Sequence, residues 1–121
     1  MHPELTAISP LDGRYRKVAK TLAPTMSEYG LIRFRVIVEC AYLMALAREK
    51  ESPLTLSDAE ETILQRIAAV GEQDAQLVKQ IETEGVEGIP ATRHDVKAVE
   101  YYIRQRFRGT TLEEKAEWVH F

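Results

Sequence analysis

The stretch Thr92–Tyr102, with the sequence TRHDVKAVEYY, joins a polar cluster to the start of an amphipathic helix. We predict a helix from about His94 to Phe107, because apolar residues follow at helical spacing. These residues are Val96, Val99, Ile103 and Phe107. The first N–H groups of a helix are unpaired, and its dipole is positive at this end. The stretch therefore predicts a local site for a phosphate or a carboxylate.

Three residues of this cluster are candidates for contact with an anion. Arg93 offers a planar guanidinium that matches phosphate or carboxylate. The helix dipole disfavours a charged imidazolium at His94, so we expect a neutral ring that donates to an anion or a carbonyl. Asp95 is expected to cap the helix or to orient His94. On spacing alone, helix capping and surface ion pairs account for the same residues more often, and this alternative stays open.

A long, largely buried helix is predicted ahead of this region. It begins at Ser27-Glu28 and ends near Lys50, before the Ser52-Pro53 pair. Its inward residues are predicted to be Leu31, Phe34, Ile37, Val38, Ala41 and Leu46. The charged residues Arg33, Arg35, Glu39 and Arg48 are expected to face solvent or to be paired.

Capping and terminating residues predict shorter helices between and after these two. Ser57 and Glu60 form a capping box for one helix, which ends at Gly71. Gln73–Glu82 forms another, with its apolar residues inward, and Glu84–Pro90 is predicted to be a loop.

The two ends of the chain complete an all-α architecture. Residues 1–26 are predicted to form an extended, turn-rich arm. Thr111 and Glu114 are predicted to form a second capping box, which opens a final helix toward Phe121. No stretch alternates like a strand, so the class is all-α, with helices packed side by side.

A turn within the arm is a second candidate site. Asp12-Gly13 is a strong turn signal, and we expect a positive φ at Gly13. The side chains of Arg14 and Tyr15 would then project from the tip of the turn and could grip a phosphate. On its own, this short motif is a weak signal, and an ordinary turn is its more frequent explanation.

Composition excludes several classes of function. The net charge of −3 and the pI of about 5.6 argue against general nucleic-acid binding. Cys40 is the sole cysteine, so an intrachain disulfide and a cysteine-based zinc site are excluded, and we expect a buried, inert thiol. His2 and His120 lie far in sequence from other ligand residues, so no metal site is predicted. No membrane span or leader pattern is recognised, and a cytoplasmic location is expected.

Several segments, in one order, resemble the N-terminal part of adenylosuccinate lyase of the bacterial type, in the fumarase/aspartase superfamily. The most specific are the Ser-Pro-x-Asp-Gly-Arg-Tyr motif at residues 9–15 and His-Asp-Val-Lys-Ala-Val-Glu-Tyr at 94–101. The others are Leu5–Ile8, Ser27–Leu31, Phe34–Val36, Lys79–Glu82 and Val119–Phe121. The resemblance covers essentially the whole chain.

The resemblance implies a reaction and roles for the candidate residues. The family cleaves adenylosuccinate to AMP and fumarate, and a succinylated carboxamide ribotide in the same way, without cofactor or metal. Arg14 and Tyr15 match positions that hold the nucleotide phosphate. Arg93, His94 and Asp95 match a segment that contacts substrate, with His94 orienting and polarising it. This segment is one of three active-site regions that different subunits of a homotetramer contribute.

The resemblance also implies a division of the chain. Residues 1–110 would form the N-terminal helical domain, and residues 111–121 would begin a truncated central helical domain. The family's general acid and base have no counterpart here, so the 121 residues alone are predicted to be inactive. The alternative is a non-catalytic helical interaction module derived from the lyase, which would dock through the apolar edge at Trp118 and Phe121.

Overall fold

A computed structural model describes residues 2–121, which form two compact units, residues 2–31 and 32–121. The α-helices, in chain order, are α1 Arg16–Ala19, α2 Ala23–Met26, α3 Glu28–Arg48, α4 Asp58–Ala68, α5 Glu72–Thr83 and α6 Asp95–Phe107. The 3₁₀ segments are Pro3–Thr6, Lys20–Leu22 and Thr111–Trp118. One small hairpin pairs β1, Gly85–Val86, with β2, Ile89–Pro90. The all-α class is confirmed.

The arm, described from residue 2 to residue 26, forms short helical turns at 3–6 and 16–26 on either side of bends and turns at 8–15, which corrects the extended part of the prediction. Short 3₁₀ and α turns follow one another, and Pro3 and Pro24 each occupy the first turn of one of them. Proline suits that position because its fixed φ is helical and its missing N–H is not needed there. The turn signals at residues 9–15 were therefore correct, and short helical segments lie before and after them.

The long helix α3 forms where it was predicted, but it buries a different face. Its core residues are Ile32, Val36, Cys40 and Leu43. Several residues predicted to point inward are exposed, among them Leu31, Phe34 and Val38. The sequence of α3 is apolar around most of the helix, so its pattern does not single out one face.

The core of the second unit lies where α5 and α6 pack together, beside the 3₁₀ segment Thr111–Trp118. Val78 and Ile81 of α5 are buried as predicted, and so are Val99, Ile103 and Phe107 of α6. Val96 is only partly buried. Burial, followed by the Asp74 carboxylate, raises the pKa of the Tyr102 hydroxyl to about 12.

The predicted loop after α5 contains the hairpin, which turns the chain toward α6. Gly85 has a φ of 81°, and a Cβ at this position would lie 2.7 Å from the backbone N of Ala91. Glycine is therefore required both by conformation and by close approach. Beyond the hairpin, the N–H groups of Thr92 and Arg93 donate to the carbonyls of Ile81 and Glu82. The end of α5 thus holds the start of α6.

The C-terminal segment differs from its prediction in type and in cap. It is a 3₁₀ helix, and Thr110 rather than Thr111 caps it, accepting from the Leu112 N–H at 3.1 Å. The Thr111 hydroxyl instead donates to Glu60 at 3.1 Å. The assignment of residues 111–121 to a following domain stays a prediction.

Candidate functional site

His94 is the N-cap residue of α6, and its ring takes part in the cap. The Lys97 backbone N–H donates to His94 Nδ1 at 3.1 Å. A nitrogen that accepts a hydrogen bond carries no proton, so the proton of the neutral ring lies on Nε2. The side chain is exposed, and Nε2–H is therefore a hydrogen-bond donor on the positive end of the helix. The neutral donor that the sequence predicted at His94 stays a prediction, and the observed cap is compatible with it.

The backbone at His94 is held by its neighbours. The Thr92 hydroxyl donates to the carbonyl of His94 at 2.9 Å and accepts from its N–H at 3.3 Å. Between them, Arg93 has a φ of 51°, in the left-handed region that residues with a Cβ rarely occupy. Such strain persists where surrounding contacts hold it, here the Arg93 N–H bond to Glu82 at 2.9 Å. This backbone leaves the Arg93 side chain exposed beside His94.

Asp95 pairs with a residue that the sequence did not connect with the site. Its Oδ2 accepts from Arg35 Nη1 at 2.8 Å, and its Oδ1 accepts from the Val96 N–H at 2.8 Å. The Arg35 hydrogen bond, followed by that from Val96, lowers the pKa of the Asp95 carboxyl. Arg35 was expected only to face solvent or be paired. Nothing in the pattern links two residues 60 positions apart.

Arg14 and Tyr15 lie in the first unit, and both are exposed. The Arg14 guanidinium lies 5.6 Å from the centre of the Tyr15 ring, so the two side chains stand together. The positive φ expected at Gly13 is wrong. Glycine is needed there because a Cβ would lie 2.8 Å from the carbonyl oxygen of Glu4.

The structure thus brings Arg93, His94 and Asp95 together at one helix end, while Arg14 and Tyr15 stand on the other unit. A cavity of about 380 Å³ opens beside this helix end. Its lining includes Thr92 and Lys97, which also form hydrogen bonds with His94. Its other lining residues are Gly88, Ile89, Pro90, Ala91 and Tyr101. Within residues 2–121, no carboxylate pairs with the guanidinium of Arg14 or Arg93. Both cations are therefore available to an anion.

A metal site and a reactive thiol find less support in the part of the chain that the structure describes. No group of three or more potential metal ligands occurs among residues 2–121. Burial, followed by the Glu39 carboxylate, raises the pKa of the Cys40 thiol to about 12, as expected for an inert cysteine. His120 is not isolated from carboxylates: its Nδ1 lies 2.7 Å from Glu39 Oε1. Lys79 and Glu82 form an ion pair at 3.3 Å.

No helix in residues 2–121 combines the length and the apolar character that a membrane crossing requires. No protein-family model matches the chain.

Individual proteins do match, over almost the whole chain. It is 40% identical to the adenylosuccinate lyase of Escherichia coli K12 over 121 residues, and 40% identical to that of Dictyostelium discoideum over 123. It is 38% identical to the adenylosuccinate lyase of Haemophilus influenzae over 121 residues. Each match includes 97% of this chain and 25% of the relative, so the chain spans about a quarter of the length of the curated relatives it matches.

The helical structure agrees with the all-α fold of the fumarase/aspartase superfamily, to which adenylosuccinate lyases belong. The relatives that match 97% of the chain are named adenylosuccinate lyase, and they match over about a quarter of their own length.

Proposed function

We propose that this chain is the part of an adenylosuccinate lyase that grips the anionic groups of the substrate. The whole protein would cleave adenylosuccinate to AMP and fumarate, and the succinylated carboxamide ribotide to its carboxamide product and fumarate. The observation that carries this proposal is the family relationship along 97% of the chain. It is supported by the exposed Nε2–H donor of His94 on a helix N-terminus, beside the unpaired guanidinium of Arg93.

Each candidate residue has a role in this proposal. Arg14 and Tyr15 bind the phosphate of the nucleotide, because a guanidinium and a hydroxyl both donate to phosphate oxygens. Arg93 binds a second anionic group, and His94 donates from Nε2 to orient and polarise the substrate. Asp95 contributes indirectly, since its two oxygens are already occupied by Arg35 and Val96.

The reaction is an anti β-elimination, which needs more than these residues. A base removes the proton beside a carboxylate, and an acid protonates the leaving nitrogen. We place both groups in the remaining three quarters of the whole protein. The 121-residue chain alone is therefore expected to release no fumarate at an enzyme-like rate. We further propose a cytoplasmic homotetramer for the whole protein, with no nucleic-acid or membrane partner.

Titration with AMP, followed by nuclear magnetic resonance, tests the binding role. We expect AMP to shift the signals of Tyr15, and adenosine, which lacks the phosphate, to shift them much less. Arg14→Gln should reduce the response to AMP. Arg16→Gln is the matched control, because Arg16 already pairs with Asp12 at 3.8 Å. Equal shifts with AMP and adenosine, or an unchanged response in Arg14→Gln, would contradict the proposal.

One observation favours the alternative of a helical interaction module. Helix α3 exposes the large apolar residues Phe34, Val38 and Tyr42 at helical spacing, and Phe121 is 73% exposed. This surface replaces the predicted edge in part, since Trp118 is half-buried and packs 4.7 Å from Phe121. Concentration-dependent sedimentation that Val38→Glu abolishes, without any response to AMP, would favour the module over the lyase role.

A further inference from the structure

The Arg35–Asp95 ion pair connects two helices at the candidate site. Arg35 lies within α3, and Asp95 is the first residue of α6. Their side chains meet at 2.8 Å, and the Arg35 side chain is the more buried of the two, at 27% exposed. The pair therefore anchors the first turn of α6, directly after His94, to the long helix.

Without Arg35, the charge of Asp95 would favour a proton on His94 Nδ1, whereas the helix cap requires this nitrogen to be unprotonated. Asp95 Oδ1 lies 3.9 Å from His94 Nδ1. An unneutralised carboxylate at that distance attracts a proton to Nδ1. The cap requires the opposite, because Nδ1 must stay unprotonated to accept from the Lys97 N–H.

The observed contacts resolve this conflict. Arg35 donates a hydrogen bond to Asp95 Oδ2 and supplies the compensating positive charge, while the Val96 N–H donates to Oδ1. The Lys97 ammonium, on the same turn of α6, pairs with Glu100 Oε2 at 3.3 Å. Arg93 is exposed and pairs with no carboxylate of the described residues.

We propose that Arg35 is a positioning residue for His94: by neutralising Asp95, it keeps the imidazole in the tautomer that carries its proton on Nε2. That tautomer directs the N–H donor outward, away from the helix. The inference deepens the proposed function, on which its importance for substrate binding rests. Its test needs no substrate, so the two proposals can fail separately.

The ¹⁵N chemical shifts of the His94 ring report the tautomer directly. They are measured on the 121-residue chain in mildly alkaline solution, where imidazoles are neutral. In the parent chain we expect Nε2 to show the shift of a protonated nitrogen and Nδ1 that of an unprotonated one. In Arg35→Gln the two shifts should move toward each other, as the Nδ1–H form becomes populated. Arg48→Gln is the matched control, since Arg48 forms a comparable pair with Glu61 at 3.2 Å.

A double variant separates this electrostatic role from a purely structural one. Arg35→Gln combined with Asp95→Asn removes both charges, so the parent shifts should return. Loss of packing would not be repaired by a second substitution. Arg35→Met, which keeps the apolar stem, is the second single variant if Arg35→Gln does not fold. Parent-like shifts in the folded single variant, or no return in the double variant, would overturn the inference.

Discussion

At the scale of single residues, the sequence showed where a helix begins but not which side chains meet there. A cation and a histidine before an amphipathic helix predicted an N-terminal anion site, which stays a prediction, and His94 caps α6 through Nδ1. The partner of Asp95 could not be predicted, because Arg35 is adjacent only in the folded chain. Gly13 shows the same limit: the turn was recognised, but the reason for glycine is the nearby carbonyl of Glu4, which no local pattern reveals.

Gly13→Ala should therefore destabilise the turn that carries Arg14 and Tyr15. The new Cβ would lie 2.8 Å from the Glu4 carbonyl oxygen and 3.0 Å from Ala7 Cβ, and overpacking of this kind costs about 1–3 kcal/mol. The readout is hydrogen exchange at the Tyr15 N–H, which donates to Pro10 at 2.9 Å. Gly71→Ala is the control, because its Cβ would meet nothing nearer than 3.6 Å. Unchanged protection of Tyr15 would contradict this account.

At the scale of elements, helices were predicted more reliably than the faces they bury. The capping box of Ser57 and Glu60 starts α4 as expected, since a cap is a local arrangement that the sequence records. The predicted buried face of α3 was wrong. Apolar residues surround this helix, so only the elements that pack against it determine which side is buried. Thr110, and not the predicted Thr111, caps the C-terminal segment, because the Thr111 hydroxyl donates to Glu60, 51 positions away.

Two matched substitutions test the assignment of the buried face. Val36 is 0% exposed and Val38 is 63% exposed, two residues apart on α3. Val36→Ala should lower the free energy of unfolding by about 2 kcal/mol, from lost burial and the cavity left behind. Val38→Ala should change it by less than about 0.5 kcal/mol. Urea denaturation measures both, and equal costs would show that the face is misassigned.

Glu60 links α4 to the C-terminal segment and should make stability depend on pH. The hydrogen bond from the Ser57 N–H, followed by that from Lys115, lowers the pKa of Glu60 from 4.5 to about 2. A carboxyl with a lowered pKa in the folded state stabilises it above the unfolded pKa. This contribution is lost as the pH falls from about 4.5 toward 2.

Glu60→Gln should accordingly flatten the dependence of the free energy of unfolding on pH in that range. Denaturation at several acidic pH values provides the measurement. Glu61→Gln, which removes a neighbouring carboxylate but leaves Glu60 in place, is the control and should retain the contribution of Glu60. An equally steep dependence in Glu60→Gln and the parent would show that the carboxylate is not stabilised in this way.

At the scale of the whole molecule, similarity to known proteins bears on the identity of the ligand, which the geometry of a helix end alone does not determine. A helix N-terminus with unpaired cations accepts many anions, and on spacing alone capping was the more frequent explanation of the same residues. The relatives compared above are named adenylosuccinate lyase, and the chain spans about a quarter of their length. Under the proposed function, the chain would supply binding groups for a substrate whose bond is broken by residues of the rest of the whole protein.

Calorimetric titration of the chain with adenylosuccinate tests this central claim most directly. We expect measurable binding by the parent chain, with affinity reduced about tenfold or more in both Arg14→Gln and His94→Ala, since each removes a hydrogen bond to a charged or polarised group. Arg48→Gln, in which an ion pair with Glu61 is removed instead, should bind like the parent. No binding by the parent, or equal affinities in all four chains, would contradict the account.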